Sequence, residues 1–173
     1  IPEDITILVI FDMRSHLSET QAQNLDAYLA RGGNMLIAGE ARRQEFMNPL
    51  LERFGVQLLP GRLVCPTENY PQDLIVVRPT KESRAFSFYL DEMARYRRVA
   101  TMPSAAGLDL SGVEAKGFTS TVLLVNDTTK KREQLWSEVE TTDFIDDTAR
   151  VNPAVGEKLY TDSIPMMVAL SSK

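Results

Sequence analysis

One cysteine, one histidine and one tryptophan are present in 173 residues. Cys65 alone excludes an internal disulfide and any multi-thiolate metal site. With His16 as the sole histidine, a His-rich zinc centre is excluded, and a Ser-His or Cys-His mechanism has one base to use. The sequence holds no G-x-S-x-G elbow, P-loop, G-x-G-x-x-G, H-E-x-x-H or paired C-x-x-C. The common local signatures of hydrolases, nucleotide binders and zinc proteases are therefore missing. Long apolar runs are missing too: Ile5 to Phe11 and Thr121 to Val125 fall far short of the roughly 18 to 20 residues that span a bilayer. Basic charge is in deficit, with 19 Lys and Arg against 24 Asp and Glu and a formal net charge of −5. That balance argues against nucleic acid as a partner, and the short runs Arg95 to Arg98 and Lys130 to Arg132 read as solvated surface charge.

What is present is ordinary globular usage, 43% apolar and 25% charged. The length suits a single α/β domain over residues 1–173. The start at Ile1, which enters a strand almost at once, suggests a segment of a longer, membrane-anchored protein. Ile5 to Phe11 is a nearly unbroken β-branched and apolar run, the pattern of a strand buried on both faces. Ser18 with Gln21 three residues on forms a capping-box pattern, and Leu17 with Ala22 occupies the staple positions, so a helix is predicted to start there. Gly32-Gly33 supplies its stop, and Met35 to Ala38 is the next short buried strand. Phe46, Met47, Leu50, Leu51 and Phe54 recur with helical period before Gly55, and Val56 to Leu59 returns as a strand. Strand, helix, strand, helix, strand over about 55 residues is the signature of crossover units on a parallel sheet. The predicted architecture is a mostly parallel central sheet with helices on both faces.

Further on, Leu74 to Val77, Arg98 to Met102, Thr119 to Val125 and Ile164 to Leu170 read as strands. Phe86 to Tyr96 fits both periods, with helix slightly favoured by its charges and length. Asp109 to Gly117 and Thr128 to Glu133 read as polar connectors, and Thr141 to Asp162 as an acidic loop with a short helix.

Candidate chemistry gathers after the first two strands. Loops leaving neighbouring parallel strands meet at one sheet edge, where open α/β sheets bind ligands. Glu40 to Arg43 is first of all expected to be a strand-to-helix connection, and function, if present, is expected as a crevice shared by Asp12, Arg14 and His16 with Glu40, Arg42 and Arg43, its arginines suited to grip a carboxylate or phosphate of a partner. In the plain connection Gly39 frees the chain to turn and the charges stay wet. Asp12, His16 and Glu40 imitate a mixed metal site, but short-range spacing alone is weak support for one. Cys65 is followed by Pro66, which lacks the backbone N–H that an oxyanion hole would use, so it reads as a small apolar filler. Trp136 reads as core. Asp127-Thr128-Thr129, Asp147-Thr148-Ala149 and Asp162-Ser163-Ile164 resemble acceptor sites of periplasmic O-glycosylation, three-residue patterns that also arise by chance.

The opening forty residues carry a further pattern: Pro2 before an apolar strand, a Ser18-capped helix ending in Tyr28-Leu29 and Gly32-Gly33, then Met35 to Ala38. It resembles the extracytoplasmic domain of auxiliary components of uncharacterised ABC-type transport systems, a group that includes gliding-motility-associated transporter auxiliary proteins. "MNPLLERFGVQLLPGRLV" is similar to the family's next helix and strand, and the likeness at "TVLLVNDTTKKREQLWSE" and "IPMMVALSSK" is looser. Where the family usually has an aspartate after the second strand, this chain has Gly39-Glu40. The resemblance implies a glutamine-amidotransferase-like (flavodoxin-like) three-layer sandwich without the nucleophile and without a cofactor. It also implies a place on the extracytoplasmic, periplasmic face of the cytoplasmic membrane, held by transmembrane helices outside this segment, with ABC transporter permease and ATPase components as partners. The expected function is a non-enzymatic module of such a system that binds a partner or substrate. Two alternatives are a protein-protein scaffold of a membrane complex, which a contiguous exposed apolar patch would favour, and a glutaminase-like or hydrolase enzyme using Cys65 or a carboxylate with His16.

Overall fold

The computed structural model describes residues 1–66, 70–126, 134–139 and 149–173. In chain order the elements are β1 (Ile7–Phe11), α1 (Glu19–Ala30), β2 (Asn34–Ala38), α2 (Gln44–Leu51), β3 (Gln57–Leu58), β4 (Arg62–Val64) and β5 (Leu74–Pro79). They continue with α3 (Phe88–Arg95), β6 (Ala100–Pro103), β7 (Leu108–Asp109), β8 (Phe118–Asn126), β9 (Leu135–Glu138), β10 (Leu159–Tyr160) and β11 (Pro165–Ser172).

The first unit forms as its local signals direct. The Ser18 hydroxyl accepts from the Gln21 N–H at 3.3 Å, while the Gln21 side chain accepts from the Ser18 N–H at 2.9 Å, closing a reciprocal cap on α1. Gly32, at φ 85°, takes the left-handed position after the helix. Gly33 lies against the fully buried Tyr28, where a β-carbon would fall 2.3 Å from the ring. The chain then enters β2, which pairs parallel with β1 from Ile7↔Asn34 to Phe11↔Ala38.

There the parallel sheet stops. β3 does not join it: β3 pairs antiparallel with β7, and the Leu59 N–H donates to the Gly107 carbonyl at 2.9 Å. Asn48 on α2 satisfies both backbone groups of Leu58, accepting its N–H at 2.8 Å and donating to its carbonyl at 3.3 Å. A side-chain amide thus fills the place of a neighbouring strand, leaving Leu58 nothing to offer a parallel partner. The remaining strands form antiparallel sheets in the orders β11-β8-β5-β6 and β10-β9-β4. β1 with β2 is the one parallel pair among the described strands.

The molecule is therefore built mostly of antiparallel sheets curled as a half-barrel, with few helices. The expected mostly parallel, glutamine-amidotransferase-like sandwich with helices on both faces is not formed. Apolar runs place strands but carry no direction. Here α3 leaves and re-enters at the same end of β5, so β6 returns antiparallel where a full crossover would have made it parallel. The strands expected at 74–77, 98–102, 119–125 and 164–170 all exist, shifted by a few residues at their ends, and 88–95 is helix. β4, β7, β9 and β10 are additional; the connector at 128–133 and the part of the acidic stretch before residue 149 lie outside the described residues.

The packing explains what is left open. Leu25 of α1 and Met47, Leu50 and Leu51 of α2 share one buried cluster with Phe54, Val56 and Leu58, and Leu8, Ile10, Met35 and Ile37 pack onto it from β1 and β2. Both helices thus cover the same face of the parallel pair. The opposite face is uncovered, with Ile7 60%, Val9 49%, Phe11 70% and Leu36 51% exposed. A second cluster, Leu63, Ile75, Val77, Leu124, Leu135 and Met166, fills the antiparallel sheets.

Candidate functional site

Parallel register brings the ends of β1 and β2 side by side, and the residues just beyond them form a charged cluster. Asp12 sits at φ 47°, a left-handed conformation that costs a non-glycine residue roughly 1 to 2 kcal/mol. Its Oδ2 accepts from Arg14 Nε at 2.9 Å and faces Arg14 Nη2 at 2.8 Å. Its Oδ1 faces Arg43 Nε at 3.6 Å, a contact of charge without a hydrogen bond. The hydrogen bond from Arg14, with the neighbouring Glu40 side chain next in weight, holds the Asp12 carboxyl below its ordinary value, and the same bond raises Arg14. Asp12, Arg14, Glu40 and Arg43 are thus one electrostatic unit.

The other two expected residues stand apart from it. Arg42 is exposed, with φ 65°, at the third position of a turn closed by the Arg43 N–H donating to the Glu40 carbonyl at 3.2 Å. Glycine usually holds that position, and the left-handed residue here is Arg42, not Gly39 as expected. Gly39 has a packing role: a β-carbon there would lie 3.0 Å from two Leu58 methyl carbons. His16 is exposed and meets Phe46 edge to face at 5.2 Å, so its ring packs against the first turn of α2 and not into the ion pairs of Asp12. Two of the four non-glycine left-handed residues among the described residues, Asp12 and Arg42, lie in this short region, and backbone strain tends to cluster at functional surfaces.

A depression of about 300 Å³ lies elsewhere, lined by Glu52, Gln57, Asp109, Ser111 and Lys116, and shares no residue with the charged cluster. No group of three or more metal-ligating side chains occurs among the described residues. Cys65 follows β4, donates its N–H to the Gln72 carbonyl at 2.8 Å and packs on the second core cluster, whereas His16 lies against Phe46 near the start of α2. Trp136 is buried, as expected, and donates Nε1–H to Glu138 at 3.0 Å. Of the three glycosylation-like tripeptides, Asp162-Ser163-Ile164 lies between β10 and β11; the other two fall wholly or mostly outside the described residues.

Beside the cluster runs the surface that the sequence reading missed. Phe11 precedes Asp12 directly, so the uncovered row of Ile7, Val9, Phe11 and Leu36 continues into the charges. Its signal was visible: both alternate sets of Ile5 to Phe11 are apolar, which demands cover on both faces, and one cover was assumed to come from helices of the same segment.

A family model described as ABC-type uncharacterized transport system matches residues 1–132. The chain belongs to this family. As an ABC transport auxiliary chain it is tied to a membrane transport system, although no described helix is long and apolar enough to cross a membrane. Searches of curated proteins and of solved structures find no match. The matched residues include β1, β2 and the whole charged cluster.

Proposed function

We propose that this ABC transport auxiliary chain is a non-enzymatic, extracytoplasmic module that docks a protein subunit of its transporter on the uncovered face of β1 and β2. Membrane spans outside residues 1–173 hold it at the periplasmic surface, so the permease is the direct partner and the ATPase is reached through it. The observation that carries this reading is the exposed row of Ile7, Val9, Phe11 and Leu36 continuous with Asp12, Arg14 and Arg43. An apolar strip with a charged border has the anatomy of a protein interface, an anchoring centre with a polar rim. The same observation favours a protein over a small molecule, because the row of exposed apolar side chains runs the length of β1 before it meets the charges. The arginines then select a carboxylate on the partner.

The test is co-purification of the full-length protein with the permease. Val9→Asp combined with Phe11→Asp should leave the melting temperature nearly unchanged and abolish association. Arg42→Ala combined with Arg43→Ala should weaken it with little loss of stability. Undiminished association of the Val9 and Phe11 variant, with its fold intact, overturns the proposal.

A further inference from the structure

A second exposed surface lies on the other side of the fold's division, on α3. Leu90 packs α3 onto the second core cluster, yet no residue of the helix is fully buried. Its outer side is aromatic: Phe88 is 70%, Tyr89 76% and Tyr96 65% exposed, and Phe86 stands out just before the helix. Phe88 and Arg95, like Tyr89 and Tyr96, are seven residues apart and fall on adjacent stripes of one helical face. Phe88 and Tyr89 touch edge to face at 5.9 Å, which fixes them as one ridge.

Cations are woven through this ridge. Between Lys81 and Arg98 there are five basic and three acidic residues, in a chain whose net charge is −5. Asp91 accepts from Arg84 at 2.9 Å and faces Arg95 at 2.6 Å, orienting both guanidinium groups along the helix. Glu92, half-buried, and Glu82, exposed, are the remaining acids. Arg98 lies over the Tyr96 ring at 5.4 Å, and Arg97 projects from the helix end at φ 51°, where the Arg98 N–H closes back on the Met93 carbonyl at 2.8 Å. Glycine is the usual residue at such a helix stop, so an arginine is kept there against the conformational preference of the chain.

We propose that the α3 ridge is a docking surface for an anionic phospholipid membrane, with Phe86, Phe88, Tyr89 and Tyr96 seated among the headgroups and Arg97 and Arg98 on lipid phosphates. Charge complementarity selects this occupant, since this net-basic segment sits on an acidic chain that an anionic surface would otherwise repel. Interfacial membrane helices combine exposed aromatics with basic residues in this manner. The inference stands apart from the permease reading, which uses a different face.

Sedimentation of the 1–173 chain with vesicles tests it. Binding should be seen with phosphatidylglycerol mixed into phosphatidylcholine, should be weak with phosphatidylcholine alone, and should fall with added salt. Each of Arg97→Ser and Arg98→Ser should lower the partition coefficient roughly fivefold. Phe88→Ser with Tyr89→Ser should lower it further, with an unchanged melt showing that the fold persists. Equal binding to neutral vesicles, no response to the arginine variants, or no vesicle binding at all overturns the proposal. Self-association lost in the Phe88 and Tyr89 variant, in the absence of vesicle binding, would assign the ridge to a second copy instead.

Discussion

The β1-α1-β2 unit and the sheet β11-β8-β5-β6 are both built from short apolar strands, yet they treat apolar side chains in opposite ways. In the antiparallel sheet Ile75 and Val77 are buried and every strand but the outer two has a neighbour on each side. In the parallel pair both strands are edges, and alternate residues face solvent. The difference lies in cover: antiparallel strands close a core with neighbours supplied by short connections, whereas a parallel sheet needs a layer on each face and here has one. The exposed apolar surface of this unit is the face proposed above for docking a transporter subunit.

The comparison can be broken most directly by truncation. Leu63→Ala, at a fully buried position, should cost about 2 to 5 kcal/mol in urea unfolding. Phe11→Ala on the uncovered face should stay within roughly 0.5 kcal/mol. Equal costs would mean that the β1 and β2 face is covered in solution. Next in size, Gly61→Ala would set a β-carbon 1.9 Å from the Glu138 carbonyl oxygen at φ 63°, and should cost about 2 kcal/mol or more through strain and overpacking. Gly32→Ala, equally left-handed but with nothing within 4 Å, should cost only about 1 kcal/mol.

Two smaller effects sharpen the contrast. Arg97→Gly should raise stability by roughly 1 kcal/mol, because the left-handed residue ceases to be strained. The Asp12 carboxyl is held low in the folded state, so its contribution is present above the unfolded carboxylate value near pH 4 and is lost as the pH falls through the lower folded value. The difference in melting temperature between the parent and Asp12→Asn should therefore shrink below about pH 4. A constant difference across that range would show that the charge on Asp12 does not support the fold.

Ser18 with Gln21, Gly32-Gly33 and the helical recurrence from Phe46 to Phe54 determined α1, its stop and α2, because capping and amphipathic period act within a few residues and need no distant partner. The parallel pairing of β1 with β2, and so the meeting of Asp12 with Arg43 and Glu40, followed from one short crossover. The tertiary structure alone decided that β3 pairs with β7 under the hold of Asn48, that the later strands run antiparallel, and that His16 turns to Phe46 while Arg14 turns to Asp12. Strand direction and side-chain partnership are settled by contacts between residues far apart in the chain, where many pairings satisfy the same apolar pattern. Whether Ile7, Val9 and Phe11 are core or surface is of that kind: their sequence fits burial, and only the arrangement of the other elements leaves them exposed.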